Sequence, residues 1–375
     1  MKVGLVTTIN TNIGDDFIRI GLVGALKAAF PGENFDFITI DKMRPLAALP
    51  DGAWLRRLES IESIRRYIQF FLARPFRAVS PSNAFDSCAF VLQCGAPIAF
   101  ERMGRNAAYA MLWRGLLASH ADQGGRVLNF AGGSCFRWIG RDRLELADFD
   151  REMLAFMAKT AQHTAVRDDL CRTVFAKAGA SVEVIPCSAL LAGQVLQPVP
   201  PLDAGEYIYF NYMKGGGHYD FGQDIDAGTW QKTIVDLIAR LGMRHKVAFL
   251  CHSATEGREA EAMGTGIPVF VPTDHADYFR LASKAKAGIF NRMHAAVAHG
   301  GLGIPSVAIG NDTRLLMVEH CGLPARFTKD CSTDSLESEI EGLISERTMH
   351  RDRLLTLRSS VFDTYVQRFQ TFARQ

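Results

Sequence analysis

The sequence predicts an α/β protein built as two doubly wound domains facing a cleft, and three observations carry that expectation. Its 375 residues exceed one ordinary core and suit two domains of roughly 150–200 residues each. Continuous apolar runs of strand length alternate with helix-length segments, the pattern of parallel strands covered on both faces. A proline-rich break, "PVPPLDAGE" from residue 198, interrupts the alternation, and a second series begins after it. The boundaries that follow are 1–197 for an N-terminal domain, 198–205 for a linker and 206–375 for a C-terminal domain.

The strands expected in the first series are "KVGLVTT", "FDFITI", "CAFVLQC", "RVLNFA", "HTAVRD" and "VEVIP". The second series supplies "YIYFNYM", "KVAFLCHS", "PVFVP", "KAGIFN", "PSVAIG" and "ARFT". Most are bounded by turn residues and followed by a segment with helical spacing of apolar positions. The tail from Ser332 reads "STDSLESEIEGLI", an N-cap followed by a helical apolar stripe. Residues 54–77 depart from the alternation: Leu58, Ile61, Ile64, Ile68 and Phe71 share one helical face, and six arginines stand against two glutamates. An insertion helix with a solvated basic face is the ordinary reading, and a peripheral contact with an anionic membrane is its rival.

Composition excludes several classes. A formal charge of +2 with 22% charged and 48% hydrophobic residues describes neither a disordered chain nor an electrostatic binder of nucleic acid. The eight scattered cysteines form no C-x-x-C pair and read as free thiols in a reducing cytoplasm. "MKVGLVTTIN" is too short in its apolar part for a signal peptide and reads as a first strand, and no stretch approaches the roughly twenty apolar residues of a membrane span.

Ligands of open α/β sheets bind beyond the carboxyl ends of the strands, where helix amino termini converge. After the first strand, Asn12, Gly14 and Asp15 stand at the start of a helix, as ordinary caps or as sugar ligands approached through the glycine. Arg167 follows another strand and offers a fork to a carboxylate or phosphate, or to Asp168 or Asp169 beside it. The second series adds Lys214 before three glycines, a loose phosphate cradle without P-loop spacing, and His252 with Glu256 after the next strand. In "NRMHAAVAHGGLGIPSVAIGNDTR" (291–314), Arg292 and His294 follow one strand and Arg314 the next. If Asn291 caps the intervening helix, His294 lies in a first turn whose field favours an anion and the neutral imidazole, poised to exchange protons. No metal set is expected: His294 and His299 are five apart, and no carboxylate accompanies them.

Taken together, these elements resemble the motifs of the polysaccharide pyruvyl transferases. "TNIGDD" (11–16), "AVRDD" (165–169), "NRMHAAVA" (291–298), "GIPSVAI" (303–309) and "NDTR" (311–314) occur in the family's order across nearly the whole chain. The departures are "QCGAP" (93–97) for a glycine-rich run, Cys171 for a serine, and no aspartate near "VEVIPCSA" (182–189). The resemblance implies a fold similar to the B-type glycosyltransferases, with two Rossmann-like domains, the acceptor on the N-terminal side and the donor on the C-terminal side. It implies transfer of a pyruvyl group from phosphoenolpyruvate to two hydroxyls of a hexose in a cell-surface polysaccharide or its precursor, as a cyclic ketal. The catalytic set implied is Arg167, Arg292, His294 and Arg314, with substrate contacts expected at Asn12, Gly14, Asp15, Lys214 and His252, and with no cofactor and no metal. A nucleotide-sugar glycosyltransferase and a non-catalytic glycan-binding member of the fold are the alternatives. The acceptor is expected at the cytoplasmic face, soluble or lipid-linked.

Overall fold

The computed structural model describes residues 1–9, 13–50, 53, 56, 61, 83–196 and 198–374, apart from the side chains of 373 and 374. Asn12 and most of the basic segment 54–77 lie outside the described residues. Among the described residues are two six-stranded sheets, parallel throughout.

The first sheet has the order β2-β1-β3-β4-β5-β6. Its strands are β1 (Lys2–Thr7), β2 (Asp36–Asp41), β3 (Phe90–Phe100), β4 (Val127–Cys135), β5 (His163–Val166) and β6 (Glu183–Val184). The second has the order β12-β11-β10-β7-β8-β9, drawn from β7 (Tyr207–Asn211), β8 (Lys246–Leu250), β9 (Val269–Phe270), β10 (Ala285–Phe290), β11 (Ser306–Gly310) and β12 (Ala325–Phe327). Every expected apolar run forms a strand. Two of them extend further than the apolar pattern foretells: β3 continues through "GAP" and β4 through "GGSC". These extensions bend, with positive φ at Ala96 (131°) and Ala131 (57°) and register shifts in both strands. Residues that read as a turn thus lie inside a bulged ladder.

The helices are α1 (Ile13–Ala29), α2 (Asp148–Thr160), α3 (Asp169–Lys177), α4 (Ala227–Gly242), α5 (Ala254–Ala262), α6 (His275–Ala282), α7 (Met293–Gly301), α8 (Arg314–His320), α9 (Thr333–Ser345) and α10 (Arg347–Arg374). A shorter irregular helix covers 107–122, with a π-helical stretch at Met111–Leu117. Helix α9 starts with a capping box between Ser332 and Ser335, as its N-cap signal leads one to expect. No helix among the described residues is long and apolar enough to cross a membrane.

Each sheet is drawn from one side of segment 198–205, whereas compactness divides the chain differently. One unit comprises 1–11, 30–135 and 143–185; the other comprises 12–29, 136–142 and 186–375. Helix α1 therefore belongs with the second unit, where it packs on Ser188–Leu191 and on α10. The core of the second unit sets Ile208, Phe210, Phe249, Ile289, Val307 and Ile309 of its sheet against Trp230, Ile234 and Leu237 of α4 and Leu336 and Ile340 of α9. This burial fixes the strand ends from which the polar residues below emerge. Seven of the eight cysteines are buried.

Candidate active site

The site grows from the end of β10. Asn291, expected as a helix cap, has another task. Its Nδ2 donates to the carbonyls of Gly216 (3.1 Å) and Ile309 (2.9 Å), and its Oδ1 accepts from the Met213 amide (2.9 Å). A buried amide with both ends satisfied this way ties the loop after β7 and strand β11 to the end of β10. The N-cap is Arg292 instead, with no side-chain capping bond, because the asparagine side chain is committed elsewhere.

Arg292 turns back over its own unit. Its Nε donates to Glu256 Oε1 at 2.8 Å, and Nη2 donates to the same oxygen. Glu256 Oε2 accepts from Asn211 Nδ2 and from the His252 amide, each at 2.8 Å, so the buried carboxylate is fully engaged. Burial pushes its pKa upward, but the charge of Arg292 and the bonds from Arg292 and the His252 amide outweigh that, and the net shift is downward. The guanidinium fork of Arg292 is therefore half occupied by an internal carboxylate. The remaining amino group, Nη1, lies 3.1 Å from His218 Nδ1.

Arg314 repeats the arrangement after β11. It is the first residue of α8, and its Nε and Nη2 donate to the two oxygens of Asp312 at 2.8 and 2.6 Å. Its guanidinium carbon lies 4.9 Å from the centre of the Tyr219 ring. His218 and Tyr219 are themselves in edge contact, their ring centres 4.5 Å apart. The two arginines are thus joined through one loop, residues 213–222. Beneath this loop lies a cavity of about 570 Å³, lined by Lys214, Gly217, His218, Tyr219, Gln223 and Asn311 among others.

The glycines of this loop have a packing reason. Gly216 has φ 68°, and any Cβ there would collide with the Thr328 side chain, which donates from Oγ1 to the Gly216 carbonyl at 2.8 Å. At Gly217 a Cβ would strike the Asn311 amide. Lys214 is exposed at the rim. The run that suggested a phosphate cradle is in part a close fit of the loop onto its own unit.

His294, the second residue of α7, is buried, and its Nδ1 lies 4.0 Å from Asp15 Oδ1 on the first turn of α1. Gly14 is buried beside it in sequence, at the start of the same helix. His252, expected to line an opening, is enclosed instead, with the rings of Phe17 at 5.9 Å and Tyr278 at 5.1 Å. Burial, opposed by Glu256, lowers its pKa to about 3, and the imidazole is neutral. The apolar surroundings of α1 and α6 make His252 a backbone ligand of Glu256 rather than an exposed contact.

Arg167 stands in the other unit, at the end of β5. It is fully buried; its amide donates to the Gly132 carbonyl at 2.8 Å, and a Cβ on Gly133 would collide with its Nε. Asp168 caps α3, accepting from the amides of Cys171 (2.7 Å) and Ser134 (2.8 Å). The structure therefore brings together Asp15, Arg292, His294 and Arg314 within one unit and holds Arg167 with Asp168 in the other. Sequence reasoning missed His218, Tyr219 and Asp312. Asp312 was legible, standing two residues before Arg314, but His218 was eclipsed by the lysine and glycines preceding it. Among the described residues no group of three His, Cys, Asp or Glu is arranged to hold a metal.

Two Rossmann-like units with ligand-type residues at the strand ends define the class: an enzyme with the fold of the B-type glycosyltransferases. The UDP-GlcNAc 2-epimerase of Neisseria meningitidis, solved bound to UDP-GlcNAc, superposes with a TM-score of 0.54 at 11% identity, over 98% of this chain and 100% of that chain. That of Methanocaldococcus jannaschii gives 0.52 at 11% identity, over 92% and 93%. A comparison with curated proteins gave no match. The family profile of the polysaccharide pyruvyl transferases matches residues 12–313, and the chain belongs to that family. It is accordingly a transferase whose family activity is pyruvyl transfer and whose family acceptor is a polysaccharide.

Proposed function

We propose that this protein transfers the pyruvyl group of phosphoenolpyruvate to two hydroxyls of a hexose in a cell-surface polysaccharide or its precursor, forming a cyclic ketal without a cofactor. The observation that carries this reading is the gathering of Arg292, Arg314 and the Asp15–His294 pair at adjacent strand ends of one unit in a member of this family. Phosphoenolpyruvate carries a phosphate and a carboxylate, and two guanidinium groups close together suit such a dianion. Arg167, expected in the same set, is fully buried in the other unit.

In this mechanism the donor's methylene carbon takes a proton and becomes a methyl group, and the adjacent carbon gains cationic character. One hydroxyl attacks it and gives up its proton to neutral His294; the C–O bond to phosphate breaks, and the second hydroxyl closes the ring with loss of its own proton. The Asp15 carboxylate favours the imidazolium formed in between, and the arginines stabilise the departing phosphate. Asp15 and Gly14 would meet the acceptor, with Asn12 beside them in sequence. Lys214 would meet the donor at the rim of the loop cavity.

The test incubates purified protein with phosphoenolpyruvate and a panel of nucleotide-linked, lipid-linked and polymeric glycans. Acceptor-dependent phosphate release together with a ketal-linked pyruvyl product by mass supports the reading. Nucleotide release from a sugar nucleotide, with phosphoenolpyruvate untouched, would replace it by glycosyl transfer.

A further inference from the structure

His218 is the group in this region to which sequence reading gave no role, and its placement is specific. It sits on the loop that joins the two arginines, with Nδ1 3.1 Å from Arg292 Nη1 and its ring edge-on to Tyr219, over which Arg314 lies. An arginine nitrogen is only a donor, so His218 Nδ1 must be the acceptor and the ring hydrogen must be on Nε2. The residue is exposed and lines the loop cavity. Arg292 has Nε and Nη2 on Glu256, so His218 fixes the remaining amino group and with it the edge of the guanidinium offered outward.

Resting on the donor assignment above, we propose that His218 is a positioning residue of the donor site: it holds Arg292 Nη1 through Nδ1 and leaves its Nε2–H as an uncharged donor beside the arginine for the same anion. The field around the ring agrees. Partial desolvation of the ring by its packing against the loop, together with Arg292 and Arg314 repelling a proton more than Asp312 and Asp15 attract one, pushes the imidazole down to about 4. A neutral donor in a positive field is matched to an anionic ligand, and it does not lose that match when the pH passes through the ordinary histidine range.

The experiment has two arms, and the first needs no turnover. Imidazole nitrogen shifts of histidine-labelled protein report the tautomer and titration of His218. The expected result is the Nε2–H form, titrating well below the ordinary 6.5 and moving back toward it in Arg292→Gln. An Nδ1–H tautomer, an ordinary titration, or indifference to Arg292→Gln would overturn the proposal even if the protein turns out to use another donor.

The second arm compares His218→Asn, whose amide oxygen takes the place of Nδ1, with His218→Phe, which keeps a ring and loses both nitrogens. With melting unchanged, His218→Phe should raise the KM for phosphoenolpyruvate by about tenfold, the scale of one hydrogen bond to a charged group, with kcat changed far less. His218→Asn should recover most of that loss. Equal KM values in wild type and His218→Phe, or an asparagine variant no better than phenylalanine, would refute the role. A wild type that leaves phosphoenolpyruvate intact would refute the donor assignment alone, and the first arm would still judge His218.

Discussion

An arginine follows a parallel strand both at β5 of the first unit and at β10 and β11 of the second, yet the two settings differ in what faces the cation. Arg167 is 0% exposed. The carboxylate beside it, Asp168, is raised in pKa by burial, against the pull of the Ser134 and Cys171 amides and, least, of Arg167. Arg292 and Arg314 keep 15% and 13% of their side chains exposed, and Glu256, although burial raises it, is lowered on balance by Arg292 and by the bonds from Arg292 and the His252 amide. Where amides are the main opposition to burial the carboxylate stays raised, whereas a guanidinium bonded to the carboxylate helps to bring it down. The second unit thus holds charge near the surface where a substrate can reach it, and the first encloses its charge.

Five measurements sharpen or break this contrast. The largest expected effect is on chemistry: His294→Gln should lower kcat by roughly 10²–10⁴ while melting stays near that of the parent, as loss of a general acid–base group does. Normal turnover would remove the second unit's histidine from the mechanism. Next comes Glu256→Gln, which strands Arg292 beside a neutral amide and should cost about 3 kcal/mol in denaturant unfolding. A cost no greater than that of an exposed ion pair would mean that solvent already screens Arg292.

The contrast also separates two conservative changes. Arg167→Lys puts a strongly hydrated ammonium into a fully buried place and should lower stability, whereas Arg292→Lys should leave stability closer to the parent and raise the KM for phosphoenolpyruvate. Gly133→Ala gives a second reading of the first unit, since overpacking against Arg167 should cost about 1–3 kcal/mol. If both lysine variants change KM alone, the division into enclosed and accessible arginines fails.

The smallest effect is a difference of slope with pH. Glu256, lowered from 4.5, contributes stability above that value and loses it as pH falls through its folded pKa, so the cost of Glu256→Gln should shrink on acidification. Asp168, raised from 3.8, costs stability as pH rises above that value, so the cost of Asp168→Asn should instead grow on acidification. Urea midpoints between about pH 3 and pH 7 report both. Parallel slopes would show that the two carboxylates are not opposed.

The twelve strands were legible because each is a continuous apolar run between turn residues, a pattern that burial on both faces imposes. The extensions of β3 and β4 were not, since Gly95, Pro97 and Gly132 are ordinarily signs of a turn and here serve a bulge. At the site, Arg292, His294 and Arg314 were found by the strand-end rule. The rule also named Glu256 and Asp15 but not the pairings: Glu256 reaches Arg292 from another strand-end turn, and Asp15 reaches His294 from a helix near the start of the chain. Sequence order assigned α1 to the first domain, but side-chain packing joins it to the second unit, and no local propensity records such a choice.

Asn291 has a consequence for engineering. Because one amide fastens Met213, Gly216 and Ile309 at once, loop 213–222 is not an interchangeable cassette. A graft that imports this loop from a relative inherits a socket shaped by residue 291, as well as the Thr328 side chain that seats Gly216. Libraries aimed at new acceptors or donors should therefore vary 213–222 with Asn291 and Thr328 retained, or replace all three as a set.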